Sequence, residues 1–211
     1  MKEVNANIAV DAVFSEDGKH RYALTYTWDP EKPRLSILMI APGSSPKLDS
    51  EHAAKGLTEQ LCINNCSRLG TYGGITIINL FSRINDDYAQ VPKNSFKGAT
   101  NEENDEVIMK MIDGTDIVIA FGSIINTNKL AYMRACQVVK SIEEKYPDRL
   151  FCIHDGIRRF LHVLDIYSRR EWNLLKVTDV LSYIQKHSKF YVENEKPAAS
   201  TKQTSGKKKT A

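Results

Sequence analysis

Four short stretches of the chain are apolar with little alternation: residues 35–40, 75–81, 116–123 and 149–154. A strand has this composition when both of its faces are buried, as in a parallel sheet that is covered by helices. Alternating strands and helices connect through right-handed crossovers, which bring the carboxyl ends of the strands to one edge. The pattern therefore predicts a parallel sheet with a shared carboxyl edge.

Apolar residues at helical spacing lie between and after these runs, which predicts helices at about 51–69, 100–114 and 128–145. Leu57, Leu130 and Met133 are expected to face the core. Ser168 and Glu171 have capping-box spacing, which predicts that a last helix begins there and carries Trp172, Leu175, Val180, Leu181 and Ile184.

Two β-prone segments precede the first apolar run, at residues 7–14 and 21–28. Asp17-Gly18 lies between them, and this dipeptide is typical of a hairpin turn. We expect an N-terminal β-hairpin that caps one edge of the sheet.

Together these elements predict an α/β fold with three layers, α/β/α, and a short, mainly parallel four-stranded sheet. Residues 1–190 are expected to form a single domain. Residues 191–211 are rich in lysine and poor in hydrophobic residues, which predicts a disordered tail.

Composition narrows the class of protein. The chain has 211 residues, of which 42% are hydrophobic, and it has neither an apolar run long enough for a membrane span nor a signal-peptide layout. We therefore expect a cytoplasmic protein with no membrane partner. The four cysteines include no C-x-x-C pair, so we predict small buried thiols, no metal and no cofactor.

The positive charge is concentrated at the C-terminus. The formal net charge is +3, but residues 186–211 contain seven lysines and two glutamates, which leaves 22 basic and 24 acidic residues in 1–185. Any affinity for nucleic acid must therefore come from a local patch or from the tail. A lysine tail can equally be a solubilising end.

Small, amide and hydroxyl side chains follow the predicted strands, and a cationic loop follows the last one. The candidate ligand-binding residues are Pro42, Gly43, Ser44, Ser45, Phe81, Gly122, Ser123, Arg158 and Arg159. The candidate catalytic residues are Asn79, His154 and His162. Such groups suit a ligand with a planar polar group and a phosphate.

Each candidate also has a plain structural interpretation. The Asn79 amide has the donors and the acceptor needed to read a nucleobase edge, but it can also tie loops together. His154 can act as a general acid or base, or it can be a hydrogen-bonded residue at the end of a strand. His162 can polarise a leaving group, or it can be packed among apolar residues. Arg158 and Arg159 can bind a phosphate, or they can simply be exposed to solvent.

No G-x-S-x-G, Walker A or H-E-x-x-H motif is present. Four carboxylates near the predicted edge are candidates for activating a water: Asp49, Glu51, Asp86 and Asp87.

Several motifs resemble a family of domains of unknown function, number 1643, found in bacteria and phages. They cover about residues 12–165 and include Arg21-Tyr22-x-Leu24-x-x-x-Trp28, Pro42-x-Ser44, Asn79-Leu80-Phe81 and Ala120-x-Gly122. The resemblance implies a bacterial cell or a phage-infected host. That family has asparagine at the first turn, where this chain has Ala41.

The order of these elements is more distantly similar to the uracil-DNA glycosylase superfamily. That similarity implies a protein that flips a nucleotide into a pocket and cleaves an N-glycosidic bond. By position it assigns base reading to Asn79, and stabilisation of the leaving base to His154 or His162. Ala41 falls in the water-activating motif and cannot activate water. The alternative is a non-catalytic module that binds nucleic acid or a nucleotide.

Overall fold

The computed structural model describes residues 8–42, 56–84, 98–165 and 167–191. Several sequence predictions lie outside these ranges. They concern Gly43, Ser44, Ser45, the carboxylates Asp49, Glu51, Asp86 and Asp87, and the tail from residue 192 onward.

A single mixed sheet of seven strands forms the centre of the described fold. Its strands are β1 Ala9–Phe14, β2 Arg21–Thr27, β3 Arg34–Met39, β4 Gly74–Asn79, β5 Asp116–Ile119, β6 Leu150–His154 and β7 Asn173–Lys176. Their order across the sheet is β1-β2-β4-β3-β5-β6-β7. The pairs β3–β4, β3–β5 and β5–β6 are parallel, while β1–β2, β2–β4 and β6–β7 are antiparallel.

The α/β class is confirmed, but the prediction of a four-stranded, mainly parallel sheet is wrong. The N-terminal hairpin does not merely cap an edge, because β2 pairs with β4 along its length and all but its last residue are buried. At the other edge, Asn173–Lys176 forms a strand against β6 instead of part of a helix. Four residues, two of them exposed and two half-buried, are too few to show a period that separates strand from helix.

Within the ranges that the structure describes, five helices accompany the sheet: α1 Leu57–Leu69, α2 Glu102–Met111, α3 Ile124–Thr127, α4 Lys129–Lys145 and α5 Val180–His187. Apolar residues of α2, α4 and α5 pack with Leu38, Ile78 and Ile119 on one sheet face. Cys62 and Cys66 of α1 pack on the other face. Strand side chains alternate between faces, so β3, β4 and β5 serve both clusters.

Three of the predicted inward positions face solvent instead. Leu57 is 53% exposed, Met133 is 55% exposed and Leu130 is also exposed. Leu57 is the first residue of α1, and Leu130 lies in the first turn of α4 beside Ala131, which is the residue of that turn that packs into the core. Within the described residues, no helix is long and apolar enough to cross a membrane.

Candidate functional site

The carboxyl ends of the parallel strands lie at one edge of the sheet. Met39 is in register with Asn79, and Leu38 is in register with Ile119. The backbone continues the pairing past the strands, because Leu80 N donates to Met39 O at 2.9 Å and Ala120 N donates to Leu38 O at 2.9 Å. Open α/β sheets place their ligands at this edge.

A first cleft at this edge has a volume of about 600 Å³. Its walls come from the segment after β5, from the loop after β6 and from α5. It includes the guanidinium groups of Arg158 and Arg159, and we call it the arginine cleft.

A second cleft of about 370 Å³ lies beside it, between the end of β3, the first turn of α1 and the segment after β5. Arg21 and Glu59 contribute its charged groups, and we call it the glutamate cleft. Gly122, Ser123, His162 and Leu164 line both clefts. These four residues therefore form the wall that the two clefts share.

His162 has a defined hydrogen-bonding state in this wall. Its Nδ1 accepts a hydrogen bond from the backbone N–H of Leu164 at 3.2 Å. Burial lowers the pKa of His162, although the Asp165 carboxylate acts in the opposite direction. The imidazole is therefore neutral near pH 7, with its proton on Nε2 as a hydrogen-bond donor.

Gly122 allows the close approach that positions His162. Gly122 has φ +65°, and its backbone N–H donates to Phe160 O at 2.9 Å. A Cβ at Gly122 would lie 2.8 Å from His162 Cβ, closer than real Cβ atoms come to a neighbour. A residue with a side chain would thus have to push the imidazole away.

Arg158 is occupied by neighbouring carboxylates. Its Nε donates to Asp155 at 2.8 Å, and its two terminal nitrogens donate to Asp165 at 3.2 and 3.3 Å. The Arg158 backbone N–H and guanidinium hold the pKa of Asp155 at about 2. Arg158 therefore braces the loop after β6, and its charge is largely balanced.

Arg159 has a different environment. Its guanidinium carbon lies 5.8 Å from the centre of the Tyr183 ring. Among the residues that the structure describes, no carboxylate forms an ion pair with Arg159, and the side chain is exposed. Of the two adjacent arginines, Arg159 is the one whose positive charge is available to an anionic ligand.

Glu59 and Arg21 face each other in the glutamate cleft. Arg21 Nη2 lies 3.7 Å from Glu59 Oε1, and their side chains are only 5% and 9% exposed. Glu59 is the third residue of α1, and its carboxylate folds back over Gly56, where a Cβ would collide with it. Glu59 is not among the residues predicted from the sequence, and Arg21 is named there only as part of a motif.

Asn79 is fully buried and does not line either cleft. Asn104 Nδ2 donates to Asn79 O at 3.1 Å and to Leu80 O at 3.2 Å, and Arg134 Nε donates to Leu80 O at 3.0 Å. These bonds fix the end of β4. The Asn79 side-chain oxygen has no hydrogen-bond donor among the described residues.

The remaining candidates divide between the clefts and other places. Gly122 and Ser123 line both clefts, and Pro42 lines the glutamate cleft. Phe81 is buried, and its backbone N–H donates to Ile40 O at 2.9 Å. His154 accepts from Gly156 N at 3.2 Å and, like Phe81, lines neither cleft.

Comparison with known proteins gives one match. No curated protein and no solved structure matches the chain. The model of a protein family of unknown function, DUF1643, matches residues 21–164, which is more than half of the chain and includes β2 to β6, Glu59, Gly122, Arg159 and His162. The chain therefore belongs to the DUF1643 family.

Proposed function

We propose that this protein binds a nucleotide unit of a nucleic acid, with the base and the phosphate held on the two sides of the wall that contains His162. The observation that carries the proposal is the position of His162, whose neutral Nε2–H is a donor in the wall shared by both clefts. A donor of this kind suits a base carbonyl. Arg159, on the arginine side, supplies the positive charge that a phosphate requires.

Ile157 supports a nucleic-acid strand as the ligand over a free nucleotide. Its side chain is 92% exposed at the arginine cleft, next to Arg158 and Arg159 in sequence. The Arg158 bonds to Asp155 and Asp165 brace the loop that presents it. An apolar side chain on a braced, basic loop can insert between stacked bases, which removes the side chain from water.

Cleavage of an N-glycosidic bond is a second candidate function. It is favoured by the neutral His162, because an Nε2–H donor stabilises the negative charge that develops on a departing base. Ala41, which lines the glutamate cleft, has no group that activates water. Binding without cleavage is therefore the first of the two candidate functions.

The test is a fluorescence anisotropy titration of a labelled single strand of about 15 nucleotides, and of the matching duplex, over a range of salt concentrations. We expect Arg159→Ala to weaken binding and to reduce the slope of log K against log salt by about 1. Arg149→Ala is the matched control, because Arg149 is an exposed arginine before β6, at the opposite end of that strand. Equal affinities of the two variants and the unmodified protein would overturn the assignment of Arg159.

Alkali treatment of the same duplex, carrying a uracil or a modified base, separates the two candidates. Strand breaks at the modified position indicate cleavage of the N-glycosidic bond. An intact duplex that nevertheless binds in the anisotropy titration indicates binding alone.

A further inference from the structure

The glutamate cleft contains the buried carboxylate of Glu59. In the part of the chain that the structure describes, the nearest charged group to Glu59 is the Arg21 guanidinium at 3.7 Å, which is beyond hydrogen-bond distance. Burial of a carboxylate is unfavourable unless hydrogen-bond donors compensate for the lost water. A ligand that brings N–H groups to Glu59 would offset this cost.

From this arrangement we propose that the glutamate cleft recognises a guanine-type base. This inference rests on the proposed function and names its base. The ring N1–H and the 2-amino group of guanine are neighbouring donors that a single carboxylate accepts together. The O6 atom on the same edge is an acceptor, and guanidinium is its usual partner in proteins. Glu59 and Arg21, whose charged groups lie 3.7 Å apart, supply the acceptor and the donor that this edge requires.

The other bases do not match the pair. Adenine and cytosine each present one amino group beside a ring nitrogen acceptor, which would face a carboxylate oxygen. Uracil presents a single N–H between two carbonyl oxygens, and both of these would be repelled by Glu59. Inosine lacks the 2-amino group of guanine and retains N1–H and O6. It therefore loses one of the two bonds to Glu59.

The lining and the volume of the cleft agree with a planar aromatic ligand. Apolar side chains of Met39, Ile40, Phe121 and Leu164 line it around the charged pair. Its volume of about 370 Å³ lies within the range of small-molecule sites. Planar apolar contact with a few fixed polar groups is the usual composition of a base pocket.

The experiment is a calorimetric titration of the full chain with GMP, IMP, AMP and UMP. We expect GMP to bind about tenfold more tightly than IMP, and AMP and UMP to bind more weakly still. Equal affinity for all four nucleotides would overturn the guanine assignment while leaving nucleotide binding in place. Absence of binding by all four, together with absence of binding to the oligonucleotides above, would overturn both proposals.

The variant Glu59→Gln keeps the size of the side chain and removes its charge. We expect it to reduce the GMP-to-IMP ratio to about one, because an amide oxygen cannot accept both donors as a carboxylate does. Gln60→Glu, at the next and exposed position of α1, changes the charge without facing the cleft and is the control. A Glu59→Gln protein that melts at a lower temperature but keeps the full GMP preference would assign Glu59 to folding alone and overturn the proposal.

Discussion

Gly122 and His162 approach each other so closely that a Cβ on Gly122 would lie 2.8 Å from the Cβ of His162. Gly122 also has φ +65°, a conformation that residues with a side chain rarely adopt. The contact connects the backbone after β5 to the loop after β6. The position of the imidazole between the two clefts therefore depends on the absence of a side chain at residue 122.

Gly122→Ala tests this contact. We expect the substitution to lower the free energy of unfolding by about 2–4 kcal/mol, which combines backbone strain with overpacking against His162. Gly114→Ala is a matched control, because Gly114 has φ +71° and nothing within 4 Å of its Cβ position. Urea unfolding should show the smaller loss for Gly114→Ala, and equal losses would mean that the His162 contact contributes nothing.

His162 should make stability depend on pH. Its pKa in the folded protein lies below the value of 6.5 expected for the unfolded chain. Between these two pKa values the unfolded state carries more protons, so stability falls as the pH is lowered through 6.5 and levels off below the folded pKa. His162→Gln does not titrate, and unfolding curves of this variant should lack that part of the fall. A pH dependence identical to that of the unmodified protein would contradict the lowered pKa.

Arg158 and Arg159 should differ in role although they are neighbours. Arg158→Ala removes the bonds to Asp155 and Asp165, and we expect it to lower the melting temperature measurably but slightly, because ion pairs of exposed side chains contribute little to stability. Arg159→Ala should change stability by less than about 0.5 kcal/mol and should weaken oligonucleotide binding. Unfolding curves and anisotropy titrations of both variants check these roles. A larger loss of stability in Arg159→Ala, or a larger loss of oligonucleotide affinity in Arg158→Ala, would contradict them.

Ile157→Ala should leave stability unchanged, because its side chain is almost fully exposed. If Ile157 inserts between bases, the variant should bind the duplex about tenfold more weakly and GMP as tightly as before. Met133→Ala, which truncates another exposed apolar side chain on α4, serves as the comparison. Duplex binding that is equal in the two variants would remove Ile157 from the interface.

The central strands were predictable because their residues are apolar on both faces, as strands buried between helices must be. The edge strand β7 was not predictable, because Asn173–Lys176 has only two half-buried residues, and these are adjacent and lie between two exposed ones. The positions of Leu130 and Met133 were also predicted wrongly. Their spacing fits the helix, but the face of α4 that packs on the sheet is that of Ala131, Ala135 and Val138.

The edge of the sheet was predictable as the place of the candidate site, but the side-chain partners of its residues were not. Sequence placed Arg158 and Arg159 together, while only coordinates show that Asp155 and Asp165 hold the first of them. Glu59 lies in the first turn of a helix, and its approach to Arg21 joins positions far apart in the chain. Pairings of this kind depend on tertiary packing, which hydrophobic periodicity does not record.

The most direct test of nucleotide binding across the shared wall is the NMR signal of the His162 imidazole during titration with a short guanine-containing oligonucleotide. The His162→Gln variant assigns the signal among those of the five histidines. We predict a saturable shift of the His162 Nε2 resonance with the same midpoint as the anisotropy curve. An oligonucleotide that binds without moving this resonance, or that does not bind, would contradict the account.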